Sequence, residues 1–133
     1  TILLDFDGTC VAHEYPYVGD DIGAQQVLHD LVNNGHQLIL FTMRSEINYL
    51  DDAVAWFQEQ GIPLYGVQSH PEQKSWTASP KAYGELIIDD TMLGAKLVDG
   101  RYLNWQWTAE MLCERGLITP EQLAAYDFRL YVY

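Results

Sequence analysis

Lysine is scarce in this chain. Lys74, Lys81 and Lys96 are the only three among 133 residues, and seven basic against nineteen acidic side chains leave a net charge of −12. A protein that grips a nucleic-acid backbone carries a basic stripe, and none is present, so no nucleic-acid polymer is expected as a partner. Cysteine is scarcer still: Cys10 and Cys113 are too few for a disulfide scaffold, and their spacing matches no metal or redox motif. A reactive-thiol role for Cys10 is disfavoured, because no histidine follows it at a diagnostic spacing. No apolar run approaches the roughly 18 residues of a membrane helix, and no basic region precedes the first apolar run, so no membrane partner and a cytoplasmic location are expected. Disorder is also excluded, because 48% of the residues are hydrophobic and no segment combines low hydrophobicity with high charge. Acidity does not forbid a phosphorylated substrate. A bound divalent cation inverts the sign inside a cleft, which favours a small substrate or one that arrives with its metal.

What is there reads as one domain over residues 1–133. Residues 2 to 6 are a short apolar run ending in acid, the mark of a buried strand. After an aperiodic loop over 8 to 21, Val27, Leu28, Leu31 and Val32 form one helical face that begins at Ile22 and closes at Asn34-Gly35. Leu38 to Phe41 predicts a second strand. Leu50, Ala53, Val54 and Phe57 predict a second helix ending at Gly61. Ile62 to Val67 predicts a third strand, weakened by Pro63 and Gly66, and Leu86 to Ile88 a fourth. A helix follows around Thr108 to Arg115, and another starts at Thr119 with Pro120 and Gln122 placed for a capping box. Strands alternating with amphipathic helices predict a three-layer α/β/α, Rossmann-like fold with a mainly parallel sheet and helices on both faces.

Three of the four expected strands end in side chains that can do chemistry: Asp5 and Asp7, Thr42, and Asp89 with Asp90. In a parallel sheet those ends share one edge, where open α/β folds bind ligands. Asp5 and Asp7 flank Phe6, so extended geometry sends both carboxylates to one side. Such a pair repels unless a cation or a proton intervenes. Gly8 permits a sharp turn and a close backbone approach to a ligand, and Thr9 offers a hydroxyl and an amide beside it. With Asp89 the group supplies hard oxygen ligands for Mg²⁺. Arg44, two residues after Thr42, reads equally as a clamp on a substrate carboxylate or second phosphate and as a solvated arginine.

The segments Leu4-Asp5-Phe6-Asp7-Gly8-Thr9, Leu40-Phe41-Thr42, Lys81 and Ile87-Ile88-Asp89-Asp90 resemble, in order, the four motifs of the haloacid dehalogenase-like phosphohydrolases. The resemblance covers residues 3 to 90. It implies that Asp5 attacks phosphorus to form an aspartyl-phosphate, and that Asp7 protonates the leaving oxygen and then activates water. It further implies that Thr42 bonds a phosphoryl oxygen, Lys81 neutralises charge beside Asp5, and Asp89 holds Mg²⁺ with Asp90 as a second ligand or a supporting partner. Lys74 competes with Lys81 for its role. Only 28 residues separate Thr9 from Leu38 and 13 separate Val67 from Lys81, too few for a separate cap domain. The site is therefore expected to be open, or covered by loops or a second subunit; the oligomeric state is not legible.

His13, Tyr15, Tyr17 and His70 are candidates to touch a leaving group, whereas His29 and His36 read as structural or solvated. Trp105 and Trp107 are expected to pack the C-terminal segment against the sheet, and Trp56 to pack at its own helix. The function expected is Mg²⁺-dependent hydrolysis of a small phosphomonoester, nucleotides included. The alternative is a catalytically idle metal-binding module. A phosphorylation-receiver domain is disfavoured because its acceptor aspartate ends the third strand, where this chain has Gly66-Val67-Gln68. A sugar-phosphate mutase is disfavoured by the short inserts.

Overall fold

In the computed structural model, residues 1–131 are described. Ile2–Leu4 forms β1, Leu38–Leu40 β2, Gly66–Val67 β3 and Leu86–Ile88 β4. They make one parallel sheet in the order β3-β2-β1-β4. Leu4 lies beside Leu40 on one side and Ile88 on the other, so the residues after these three positions leave the sheet together. The third strand is shorter than Ile62–Val67 because Pro63 lacks an amide donor and only Gly66 and Val67 enter the ladder.

The helices form where apolar periodicity places them. Helix α1 covers Ala24–Asn33, α2 Ile47–Gln60, α3 Trp105–Glu114 and α4 Pro120–Ala125. Asp21 accepts from the amides of Gly23, Ala24 and Gln25, which starts α1 two residues after Ile22. The capping box at α4 is formed, Thr119 and Gln122 each bonding the other's backbone amide.

Alternation along the strands splits the core. Ile2, Leu4, Leu38, Leu40 and Ile88 pack with the buried residues of α1, α2 and α3. Leu3 and Ile39 face the other way, onto Ala82 and Tyr65. That second face carries no α-helix among the described residues. The connection from β3 to β4 covers it with a single 3₁₀ turn at Gln73–Ser75, so the expected third helical layer is a loop layer instead. Gln73 is buried and holds this layer, donating to the carbonyls of Ser79 and Lys81 and accepting from the amide of Tyr83.

Beyond β4 lies a two-stranded antiparallel ribbon, β5 at Leu97–Val98 and β6 at Tyr102–Leu103. Asp99 and Gly100 take positive φ in its turn, and Asp-Gly between apolar pairs is a hairpin signal present in the sequence and missed by the periodicity reading. Among the described residues no helix is long and apolar enough to cross a membrane.

Candidate metal centre

At the carboxyl edge of the sheet the chain turns sharply after Phe6, which is buried in the core between the two aspartates. Thr9 and Cys10 return their amides to the Phe6 carbonyl, and Gly8 takes φ +79°. The turn carries Asp5 and Asp7 to the rim of a cleft of about 440 Å³ that is also lined by Thr42, Asp89 and Asp90. Carboxylate oxygens of Asp5, Asp89 and Asp90 come within 4.8 Å of one another, a group able to hold a metal ion.

One hydroxyl organises this group. Thr9 Oγ1 lies 2.6 Å from Asp5 Oδ2 and 3.1 Å from Asp90 Oδ1, and accepts from the Asp90 amide at 3.0 Å. Having a single proton, it can donate to only one carboxylate at a time, and the shorter distance is to Asp5. Thr9 is fully buried. Its amide donates to Phe6 and its carbonyl accepts from Trp105 Nε1 at 2.6 Å. The expected ligand-facing groups of Gly8 and Thr9 are thus turned inward: the Gly8 amide bonds the Val11 carbonyl and the Gly8 carbonyl accepts from Leu103. Both residues build the floor of the site.

Burial raises the Asp5 carboxyl from its ordinary 3.8 to about 7, with the Asp89 charge and a hydrogen bond with Asp90 adding to the rise and Thr9 opposing it. Crowded carboxylates with no cation among them behave this way, and a divalent ion with hard oxygen preference suits the donor set. Asp89 is oriented by Thr91, whose amide and hydroxyl both donate to Oδ1, and Asp90 pairs with His13 at 3.0 Å.

Asp7 stands apart from this group. Arg44 grips it with two parallel bonds, Nε to Oδ2 and Nη2 to Oδ1, each 2.8 Å. The remaining N–H groups of Arg44 go to the carbonyls of Pro16, Tyr17 and Tyr49, and its guanidinium carbon lies 5.2 Å from the ring centroids of Phe6 and of Tyr15. Arg44 is 1% exposed, and all five of its donors are engaged. Two readings change accordingly. Asp7 belongs to an ion pair and not to the metal-ligand group, and Arg44 has no donor left with which to clamp a substrate.

Thr42 lines the cleft and its hydroxyl accepts the Arg44 amide, leaving the hydroxyl proton available. Its backbone is clamped by Gln68, whose side chain accepts from the Thr42 amide at 2.9 Å and donates to its carbonyl at 2.7 Å. Gln68 adopts a left-handed backbone, φ +66°, to make this contact, a role that nothing in its sequence context signals.

Lys81 is not in the cleft. It is exposed and, like Lys74, makes no ion pair among the described residues. The reason is topological. Four residues later the chain reaches the amino edge of the sheet, where the Glu85 amide bonds the Thr1 carbonyl, while Asp5 sits at the opposite edge. His70 packs in an aromatic group with Tyr65, Trp76 and Tyr83, away from the carboxylates. His13 and Tyr15 do line the cleft.

The close approach at Gly8 gives a direct test of the floor. A Cβ there would lie 2.0 Å from His13 Nε2 and 2.6 Å from Asp90 Oδ2, on a backbone that side chains rarely adopt. Gly8→Ala is expected to cost about 1–3 kcal/mol in urea unfolding and to displace His13 from Asp90. A stability change below about 0.5 kcal/mol would show that the turn is not held as described.

No protein-family model matches the chain, and no curated protein matches its sequence. Among solved structures, one described as the conserved protein coded by a locus from Bacteroides thetaiotaomicron superposes with a TM-score of 0.72 at 32% identity, over 86% of this chain and 89% of that one. With that identity spread across nearly the full length of both chains, this protein belongs to the same family as the conserved Bacteroides thetaiotaomicron protein.

Proposed function

We propose that the cleft holds Mg²⁺ and that the protein is a small haloacid dehalogenase-like phosphomonoester hydrolase working through an aspartyl-phosphate on Asp5. The observation that carries this reading is the convergence of Asp5, Asp89 and Asp90 at the carboxyl edge of the sheet, their oxygens within 4.8 Å. Asp5, Asp89 and Asp90 would hold the cation, which when bound offsets carboxylate charge and the charge of a phosphate.

The chain's own groups divide the remaining work. Asp5 attacks phosphorus as a carboxylate. Thr42 donates its free hydroxyl proton to a phosphoryl oxygen. Asp7 passes a proton to the leaving oxygen and takes one from water, and to do so one of its oxygens must exchange Arg44 for the reacting group. The catalytically idle metal-binding module is the second reading. It is favoured by the missing lysine beside Asp5 and by the engagement of both Asp7 oxygens with Arg44. Phosphate release from a chromogenic phosphomonoester with and without Mg²⁺ separates the two.

Metal and proton compete for Asp5, which gives a test that needs no substrate. The folded metal-free protein holds a proton on Asp5 up to pH about 7, whereas the unfolded chain loses it near 3.8. The folded state therefore binds more protons across that window. This contribution to stability is full below the lower value and is lost as pH rises through the upper one. In a chelator, melting temperature is expected to fall between pH 5 and 8 more steeply for the parent than for Asp5→Asn. At pH 8, Mg²⁺ restores the parent and leaves Asp5→Asn little changed. Parallel pH profiles, or equal Mg²⁺ stabilisation of both proteins, would overturn the assignment of Asp5 to the metal.

A further inference from the structure

The charges and surfaces of the cleft restrict what a substrate can carry beyond its phosphate. Four carboxylates line it, Asp5, Asp7, Asp89 and Asp90, against one guanidinium. That guanidinium, Arg44, is buried with its five N–H groups already bonded to Asp7 and three carbonyls. His13 faces Asp90, and neither Lys74 nor Lys81 lines the cleft. With Mg²⁺ committed to the phosphoryl group, a second anionic group on a substrate would meet carboxylates and find no unengaged cationic side chain among the described residues of the cleft, in a setting where like charges are costly. Beside these charges the cleft has the hydroxyls of Thr42 and Thr91 and two large apolar surfaces. Met43 is 94% exposed and Tyr15 56%, and both line the cleft, one from the loop after β2 and one from the loop after β1. A methionine held in solvent at the mouth of an acidic cleft is a surface for carbon, not for charge.

We infer that the cleft selects phosphomonoesters of uncharged alcohols with an apolar face, aryl or alkyl, and rejects those bearing a second phosphate or a carboxylate. This rests on the phosphatase reading. In the reaction the phosphorus–oxygen bond to the alcohol breaks as the Asp5–phosphorus bond forms, and the alcohol oxygen takes a proton. Water then cleaves the acyl-phosphate, so ester and water become alcohol and phosphate. The phosphoryl group sits at the carboxylates and Thr42, and the departing alcohol lies against Met43 and the Tyr15 ring. A volume of about 440 Å³ accommodates a group of one or two rings.

The test compares phenyl phosphate with 4-carboxyphenyl phosphate, which differ in one remote charge. Assays use the full chain with Mg²⁺ at about 0.15 M ionic strength, where the long-range field of the acidic protein is screened. The expected result is a kcat/KM at least about tenfold higher for phenyl phosphate, with Met43→Lys lowering that ratio by about tenfold. Equal or faster hydrolysis of the carboxylated ester, or a ratio unmoved by Met43→Lys, would overturn the inference while leaving the phosphatase reading intact. Hydrolysis of neither ester, with Mg²⁺ bound, would remove both.

Discussion

Replacing Asp5 with Asn is expected to lower phosphomonoester turnover by at least about 10⁴-fold, because the amide keeps the size of the side chain and removes the attacking anion. The same substitution deletes a carboxylate from the group with Asp89 and Asp90, so cation affinity falls with it. Beryllium fluoride provides the separate readout: a Mg²⁺-dependent adduct located at residue 5 in the parent and absent from the variant. Asp7→Asn keeps the nucleophile and is expected to lose about 10²–10⁴-fold at each proton-transfer step. With a good leaving group it phosphorylates Asp5 and stalls, which rapid quench would capture. Parental turnover by freshly purified Asp5→Asn, with deamidation excluded, would rule out covalent catalysis and leave the idle metal-binding module or a different active site.

Arg44→Ala is expected to destabilise the protein by about 3–5 kcal/mol, a large share of the stability of a domain this size. The loss has two sources. Asp7 would remain a partly buried charge without its partner, and the carbonyls of Pro16, Tyr17 and Tyr49 would lose a common donor. Arg44→Lys should recover only part of it, because a single ammonium cannot reproduce two parallel bonds to Asp7 and three carbonyl contacts. Urea midpoints for the two variants, compared at constant slope, measure this. A change below about 1 kcal/mol for Arg44→Ala would mean that the pair is a solvated contact.

How much of this was legible beforehand depended on distance along the chain. Asp5, Thr42, Asp89 and Asp90 could be located because each follows an apolar run short enough to be a strand, and parallel pairing carries their ends to one edge. The helix boundaries at Gly61 and Thr119 were legible because capping is a local exchange of hydrogen bonds. Arg44 falls on the expected loop, but it is neither the substrate clamp nor the solvated arginine that its position allows. Its position two residues after Thr42 says nothing about whether a long side chain turns outward or runs inward to Asp7. Lys81 is tied to the site only by the motif resemblance, and three residues of strand, at roughly 3.3 Å apiece, separate the edge it approaches from the edge that carries Asp5. The contacts of Gln68 with Thr42 and of Trp105 with Thr9 span 26 and 96 positions, and no periodic signal links such residues. The third layer failed for a different reason. Crossovers of this length usually contain a helix, but here Gln73 satisfies the loop's backbone groups with its own side chain.

The two hydrogen bonds that Leu103 and Trp105 send to Gly8 and Thr9 make the acidic pocket dependent on a part of the chain that carries none of its acids. A fragment ending at Thr91 would keep every carboxylate and lose the donors that fix the turn between Asp5 and Asp90. For a cation held by the aspartates, affinity and the docking of α3 would for that reason be two readings of a single equilibrium. A cation bound to the aspartates would then tighten α3 onto the sheet, and loosening α3 would weaken cation binding by the same factor. Trimming the chain to its motif-bearing portion would thus remove two of the bonds that hold the turn after Phe6, and the unit that fixes the aspartates extends past the last aspartate motif.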